Sequence, residues 1–146
     1  MKQLRILRIT LLFILCFLGR NTFSKGSGNI KVLESTIQKV FPGLPGANIM
    51  NEYAIKVLIL KKGVSFSQAV VGADSLKIRI FANKEQLKVQ QVLNRNDTIL
   101  LRFSAQMKQD YHESSEKDVR LIYTYKKKRL SSKITNITQL KSIYLP

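Results

Sequence analysis

Five residues capable of metal binding or proton transfer crowd positions 110–118: Asp110, His112, Glu113, Glu116 and Asp118. Oxygen ligands on a loop suit a hard cation such as calcium, and an imidazole nitrogen extends the choice to a transition metal. The fixed ligand spacing of an EF-hand and the glycine that such tight loops turn on are both missing. The plainer reading is a solvated connection between strands whose acids offset nearby lysines, and it is preferred. No cofactor is expected.

Enzymatic chemistry has little else to work with. A nucleophile needs a base within hydrogen-bond reach, and His112 is the single histidine, with Ser114 and Ser115 beside it in sequence only. There is no nucleophile elbow, phosphate-cradling glycine loop or zinc-type His/Cys spacing. Of the 9 acids, four lie in that one loop, which leaves few for a glycosidase-like carboxylate pair. The chain reads as non-enzymatic.

The second constellation is cationic: Lys126, Lys127, Lys128 and Arg129, joined by Lys133 and by Arg120 from the preceding segment. With Tyr123 and Tyr125 pointing inward, period-two alternation puts Arg120, Thr124, Lys126 and Lys128 on the solvent face of one strand. Lys77, Arg79, Lys88 and Arg102 point outward by the same rule. Such rows can merge into a surface that holds phosphates or sulfates, with an affinity that falls steeply with salt. Exposed aromatics for base stacking are not interleaved, so sequence-specific nucleic-acid binding is not expected. The competing reading is that these lysines guard strand edges.

The elements that position these groups follow a leader. Lys2, Arg5 and Arg8 precede an apolar run, Ile9 to Gly19, and Arg20 to Gly28 turns polar and small. That order is the layout of a signal peptide, and the run is shorter than the roughly 20 residues that span a bilayer. Thr22 and Ser24 suit cleavage after Ser24. Two alternatives are set beside this: the segment staying uncleaved as a short anchor, and Cys16 as a lipid-attachment site, the latter disfavoured because Leu15 and Phe13 before it are bulky. The one cysteine leaves with the leader, so the domain must be held by packing and not by disulfides. Four of the 25 basic residues leave too, which takes the net charge from +16 to +12, a balance favouring polyanions.

Alternating segments dominate the remainder. Residues 30–41 read as a strand with some helical spacing, ended by the Phe41-Pro-Gly-Leu-Pro-Gly46 breaker. Tyr53–Leu60, Val64–Val71, Ser75–Phe81, Leu87–Leu93, Thr98–Met107 and Val119–Tyr125 follow as strands. Gln68 interrupts the alternation of the second of these. The tail offers two pieces, Ile134–Thr138 and Ser142–Leu145, joined through Gln139 to Lys141; the last of them reads as the final strand of the domain's own sheet, strand addition to a partner's sheet being the alternative that no residue favours. Asn96-Asp97-Thr98 and Asn136-Ile137-Thr138 are formal glycosylation acceptors, relevant only in a eukaryotic host.

The expected organisation is a signal peptide over residues 1–24, a flexible leader over 25–31 and one domain over 32–146. That domain is all-β, an antiparallel β-sandwich of immunoglobulin-like topology with about seven strands, although a cysteine pair, a core Trp and a tyrosine corner are missing. The functional expectation is an exported, non-enzymatic binding or structural module of the bacterial cell envelope, periplasmic or at the cell surface. Its partner would be an envelope protein or a polyanionic ligand such as acidic polysaccharide or lipopolysaccharide, with no transmembrane span after cleavage.

Overall fold

The computed structural model describes residues 24–25, 28–107 and 118–146. Among them the chain forms eleven strands and no helix: β1 (Ser24–Lys25), β2 (Ile30–Phe41), β3 (Met50–Ile59), β4 (Ser65–Val71), β5 (Asp74–Leu76), β6 (Arg79–Ala82), β7 (Glu85–Leu87), β8 (Thr98–Gln106), β9 (Val119–Tyr125), β10 (Lys128–Ile134) and β11 (Thr138–Tyr144). They make two sheets, ordered β11-β2-β3-β8-β6-β7 and β1-β10-β9-β4-β5. All neighbours are antiparallel except β11 with β2 and β1 with β10. No helix of the described residues is long and apolar enough to cross a membrane.

The sandwich follows from which residues each strand turns inward. In β3, Tyr53, Ile55, Val57 and Ile59 are buried, and β8 answers with Phe103, Leu101 and Ile99 directly across. The Tyr53 and Phe103 rings stack at 4.9 Å. From the second sheet, Phe66, Ala69 and Val71 on β4 meet the same core as Val119, Leu121 and Tyr123 on β9 and Leu130 and Ile134 on β10. Each apolar side chain removed from water contributes about 1.5–3 kcal/mol. Leu101 is 0% exposed, and truncating it to Ala would cost about 2–5 kcal/mol.

Several expected boundaries move, for identifiable reasons. Residues 30–41 are one strand of 12 residues whose helix-like spacing comes from a register shift between Val32 and Glu34. Gln68 breaks alternation because β4 carries a bulge between Phe66 and Gln68, after which Ala69 points inward again. The segment Ser75–Phe81 is two strands in different sheets; the chain crosses at Lys77–Ile78, and the period of two survives because both sheets face one core.

The strand expected over Leu87–Leu93 ends at Leu87. Gln90 has a φ of 66° and the Gln91 amide donates to the Lys88 carbonyl, so the chain turns; Val89 and Val92 stand exposed while Leu93 is buried and bridges Val64. The tail is also redrawn. Lys128–Ile134 is a full strand, and Gln139–Lys141, expected as a connector, lies inside β11. These splits and additions raise about seven expected strands to eleven among the described residues.

Candidate functional site

The outer face of the six-stranded sheet is hollowed into a groove of about 950 Å³. Strand register arranges its lining in three rows: Leu140–Gln38–Glu52–Ser104, then Thr36–Ala54–Arg102–Arg79, then Glu34–Lys56–Leu100–Phe81. These are the residues that alternation leaves after Tyr53, Ile55, Val57, Ile99, Leu101 and Phe103 have turned inward. Ala54, the smallest side chain in the middle row, forms the floor. Asn83 and Lys84, both at positive φ in the β6–β7 turn, form one end. The amide of Gln38 donates to the Lys141 carbonyl at 2.9 Å and fixes β11 as the opposite wall.

The charges in this groove are divided by strand, apart from Lys56, which stands on β3 facing Glu34. Arg79 and Arg102 sit opposite each other on β6 and β8, with Lys84 nearby, while Glu34 and Glu52 lie on β2 and β3. The Arg102 guanidinium stands 5.8 Å over the Phe81 ring. Among the described residues, no carboxylate comes within 4.0 Å of Arg79, Arg102, Lys56 or Lys84. Lys56 faces Glu34 in register, and Glu52 lies four residues further along β3. The two acids are thus about 13 Å apart along the strands.

The cationic residues expected to act together occupy two separate places. Lys126 and Lys127 are the two central residues of the β9–β10 hairpin loop, at φ 48° and 62°, so Lys126 is not in an outward strand row. Lys128 and Arg129 begin β10 beside them, and the four are exposed. Arg120 and Lys133 sit at the other end of the hairpin, opposite each other in register, about 20 Å from the tip. Both lean on Asp118, Arg120 Nε at 3.1 Å and Lys133 Nζ at 3.3 Å. Asp118 therefore serves as a counter-ion. Of the other members of the acidic constellation, Asp110, His112, Glu113 and Glu116 lie outside the described residues, as do Cys16 and most of the leader. Among the described residues no group of three or more His, Cys, Asp or Glu gathers to hold a metal.

Beneath the groove, Tyr53 is 2% exposed, and burial raises its phenol above the usual 10.0, with Asn51 offsetting part of the rise. The Tyr53 hydroxyl has no aligned hydrogen-bond partner. Tyr123 is raised for the same reason and is partly offset by Asn29.

Alternation alone turns Arg79 and Arg102 outward, so each is legible one at a time. Their meeting is not, because it depends on a β6–β8 register that a strand break at Lys77–Ile78 makes possible. No known family, curated protein or solved structure matches this chain.

Proposed function

We propose that this protein is an exported, non-enzymatic binding module of the bacterial cell envelope, built as an immunoglobulin-like sandwich, with the groove on its six-stranded sheet as the binding surface. The topology supports this reading. An immunoglobulin-type sandwich orders its sheets A-B-E-D and G-F-C-C′. Here the corresponding runs are β2-β3-β8-β6 and β10-β9-β4-β5. Where antibody domains pack a Trp of strand C on a disulfide, Phe66 of β4 packs on Tyr123 of β9 at 5.7 Å. Export rests on the leader in residues 1–24, and the periplasm or cell surface is the destination proposed.

The observation that carries the binding role is the hollowed face with an arginine pair lacking a nearby acid. Folding stability gains nothing from such a pair, whereas a ligand does. Purified protein should sediment with isolated cell-wall and membrane fractions, and Ala54→Arg, which fills the floor, should abolish sedimentation. Equal sedimentation of the variant, or none by wild type, overturns the reading. Export is checked separately by the mass of protein recovered from the host, expected to begin at Lys25.

A second reading has one observation in its favour. Non-glycine residues at positive φ are costly, yet two lysines hold both central positions of the β9–β10 loop. A cationic tip of this kind suits contact with a polyanion such as lipopolysaccharide. Neutralising Lys126, Lys127, Lys128 and Arg129 should then lower the salt needed to elute the protein from heparin; unchanged elution removes this reading.

A further inference from the structure

We infer that the groove takes an acidic sugar chain carrying isolated carboxylates, such as a uronate between neutral sugars, with one carboxylate held between Arg79 and Arg102. This rests on the binding role proposed for that face. Arg79 and Arg102 occupy directly opposed positions of β6 and β8, so a carboxylate lying between the two strands is within reach of both guanidinium groups. The Arg102 guanidinium carbon stands 5.8 Å from the centre of the Phe81 ring, within cation–π range, and no carboxylate among the described residues comes within 4.0 Å of its N–H donors. A planar carboxylate accepts from a guanidinium in a bidentate manner.

The rest of the groove selects what the carboxylate is attached to. Ser104 and Asn83 offer donors and acceptors suited to hydroxyl groups, Thr36, whose own hydroxyl donates to the Ala54 carbonyl at 3.3 Å, offers an acceptor, and Phe81 offers an apolar ring face. Glu34 faces Lys56 in register, whereas Glu52 has only Gln38 and Ser104 across from it and so repels a further anion. A chain with a charge on every sugar would set one of its anions against Glu52. A chain with spaced carboxylates places its acid on the arginines and a neutral ring over Glu52. The separation of Glu52 from the arginine pair thus reads as a rule of spacing.

The test measures binding of hyaluronan oligosaccharides, in which glucuronate alternates with a neutral sugar, by calorimetry at low and moderate salt. Three probes are compared: the oligosaccharide, its carboxyl-reduced form and a heparin fragment of equal length. The expected result is binding of the first, with about tenfold weaker affinity on Arg79→Gln or Arg102→Gln, as loss of a charge-assisted hydrogen bond implies. Glu52→Gln should improve heparin binding relative to hyaluronan. Equal affinity for the carboxyl-reduced form, with both arginine variants binding like wild type, overturns the arginine assignment. If Ala54→Arg still blocks that binding, the groove remains the binding surface; if Ala54→Arg binds normally, the groove reading itself falls. No binding of hyaluronan, or preference for heparin by wild type, overturns the spaced-carboxylate rule. Circular dichroism of each variant confirms that the fold is intact.

Discussion

Arg79 of β6 and Arg102 of β8 stand directly across from each other in an antiparallel pair. Like charges at such positions destabilise by roughly 0.2–1 kcal/mol. In the free protein this pair is a liability that a bound anion would remove. Arg79→Thr should therefore raise the melting temperature by about 1–3 °C at low salt. The gain should shrink in 1 M salt, where charges are screened within about 3 Å. A differential scanning measurement at both salt concentrations checks this, and a loss of stability at low salt contradicts it.

The β9–β10 loop should behave the opposite way to an optimised turn. Two-residue hairpins with both central residues at positive φ favour Asn-Gly, and the loop here is Lys126-Lys127. The double substitution Lys126→Asn with Lys127→Gly relieves two strained positions. Part of that gain is offset by the extra freedom of glycine in the unfolded chain. A net stabilisation of about 0.5–1 kcal/mol is expected in urea unfolding. The β6–β7 turn, with Asn83 already at the first position and Lys84 at φ 70°, should gain less from Lys84→Gly together with no change at Asn83 than the double variant gains at the other hairpin.

What the sequence makes legible is the inward set of each strand. Tyr53, Ile55, Val57 and Ile59 are read from alternation alone, as are Ile99, Leu101 and Phe103, and all are buried. Sheet membership is not legible, because Leu76, Ile78 and Ile80 keep one period while the chain passes from one sheet to the other. Bulges hide in the same way: near Ser67 and Leu33 a single extra residue resets the phase. Lys128–Ile134 is not legible as a strand because a run of charge at its start masks the inward Leu130 and Ile134. The groove was out of reach for a related reason. Its rows join residues far apart in sequence, and only register brings Glu34 beside Lys56 or Arg79 beside Arg102.

Tyr53 sets an upper limit on the pH range of the fold. Burial raises its pKa above 10.0, so the folded state keeps the phenol neutral at a pH where the unfolded state releases the proton. Below about pH 10 both states are protonated and stability does not depend on this group. Above it, and up to the raised value, stability falls by about 1.4 kcal/mol per pH unit. Tyr53→Phe removes that loss; at pH 7 the gain from removing a buried hydroxyl without an aligned partner is offset by the contact Asn51 loses, so the variant should lie within about 1 kcal/mol of wild type. Tyr123→Phe should likewise flatten the alkaline loss, but at a cost near pH 7, because Asn29 loses the hydroxyl it interacts with. Urea unfolding of the three proteins between pH 7 and pH 11 tests both statements.

The end of β11 depends on a glycine for space. A Cβ on Gly43 would overlap the main-chain carbonyl of Pro146 and press on that of Leu145. This proximity accompanies the Leu145 amide donating to the Phe41 carbonyl at 2.9 Å and the Phe41 and Tyr144 rings stacking at 4.7 Å, with the Lys39 ammonium over Phe41. Gly43→Ala forces the last residues away from β2, which breaks that hydrogen bond and separates the rings. The cost should be about 1–3 kcal/mol, typical of an overpacked contact. It should be confined to this corner, since Leu140 pairs with Gln38 further back along the strand. Hydrogen exchange at the Leu145 amide should then be faster in the variant than in wild type, while exchange at Ile55 and Leu101 stays as slow as before. Equal exchange at Leu145 in the two proteins would show that residues 145–146 are not seated against Gly43.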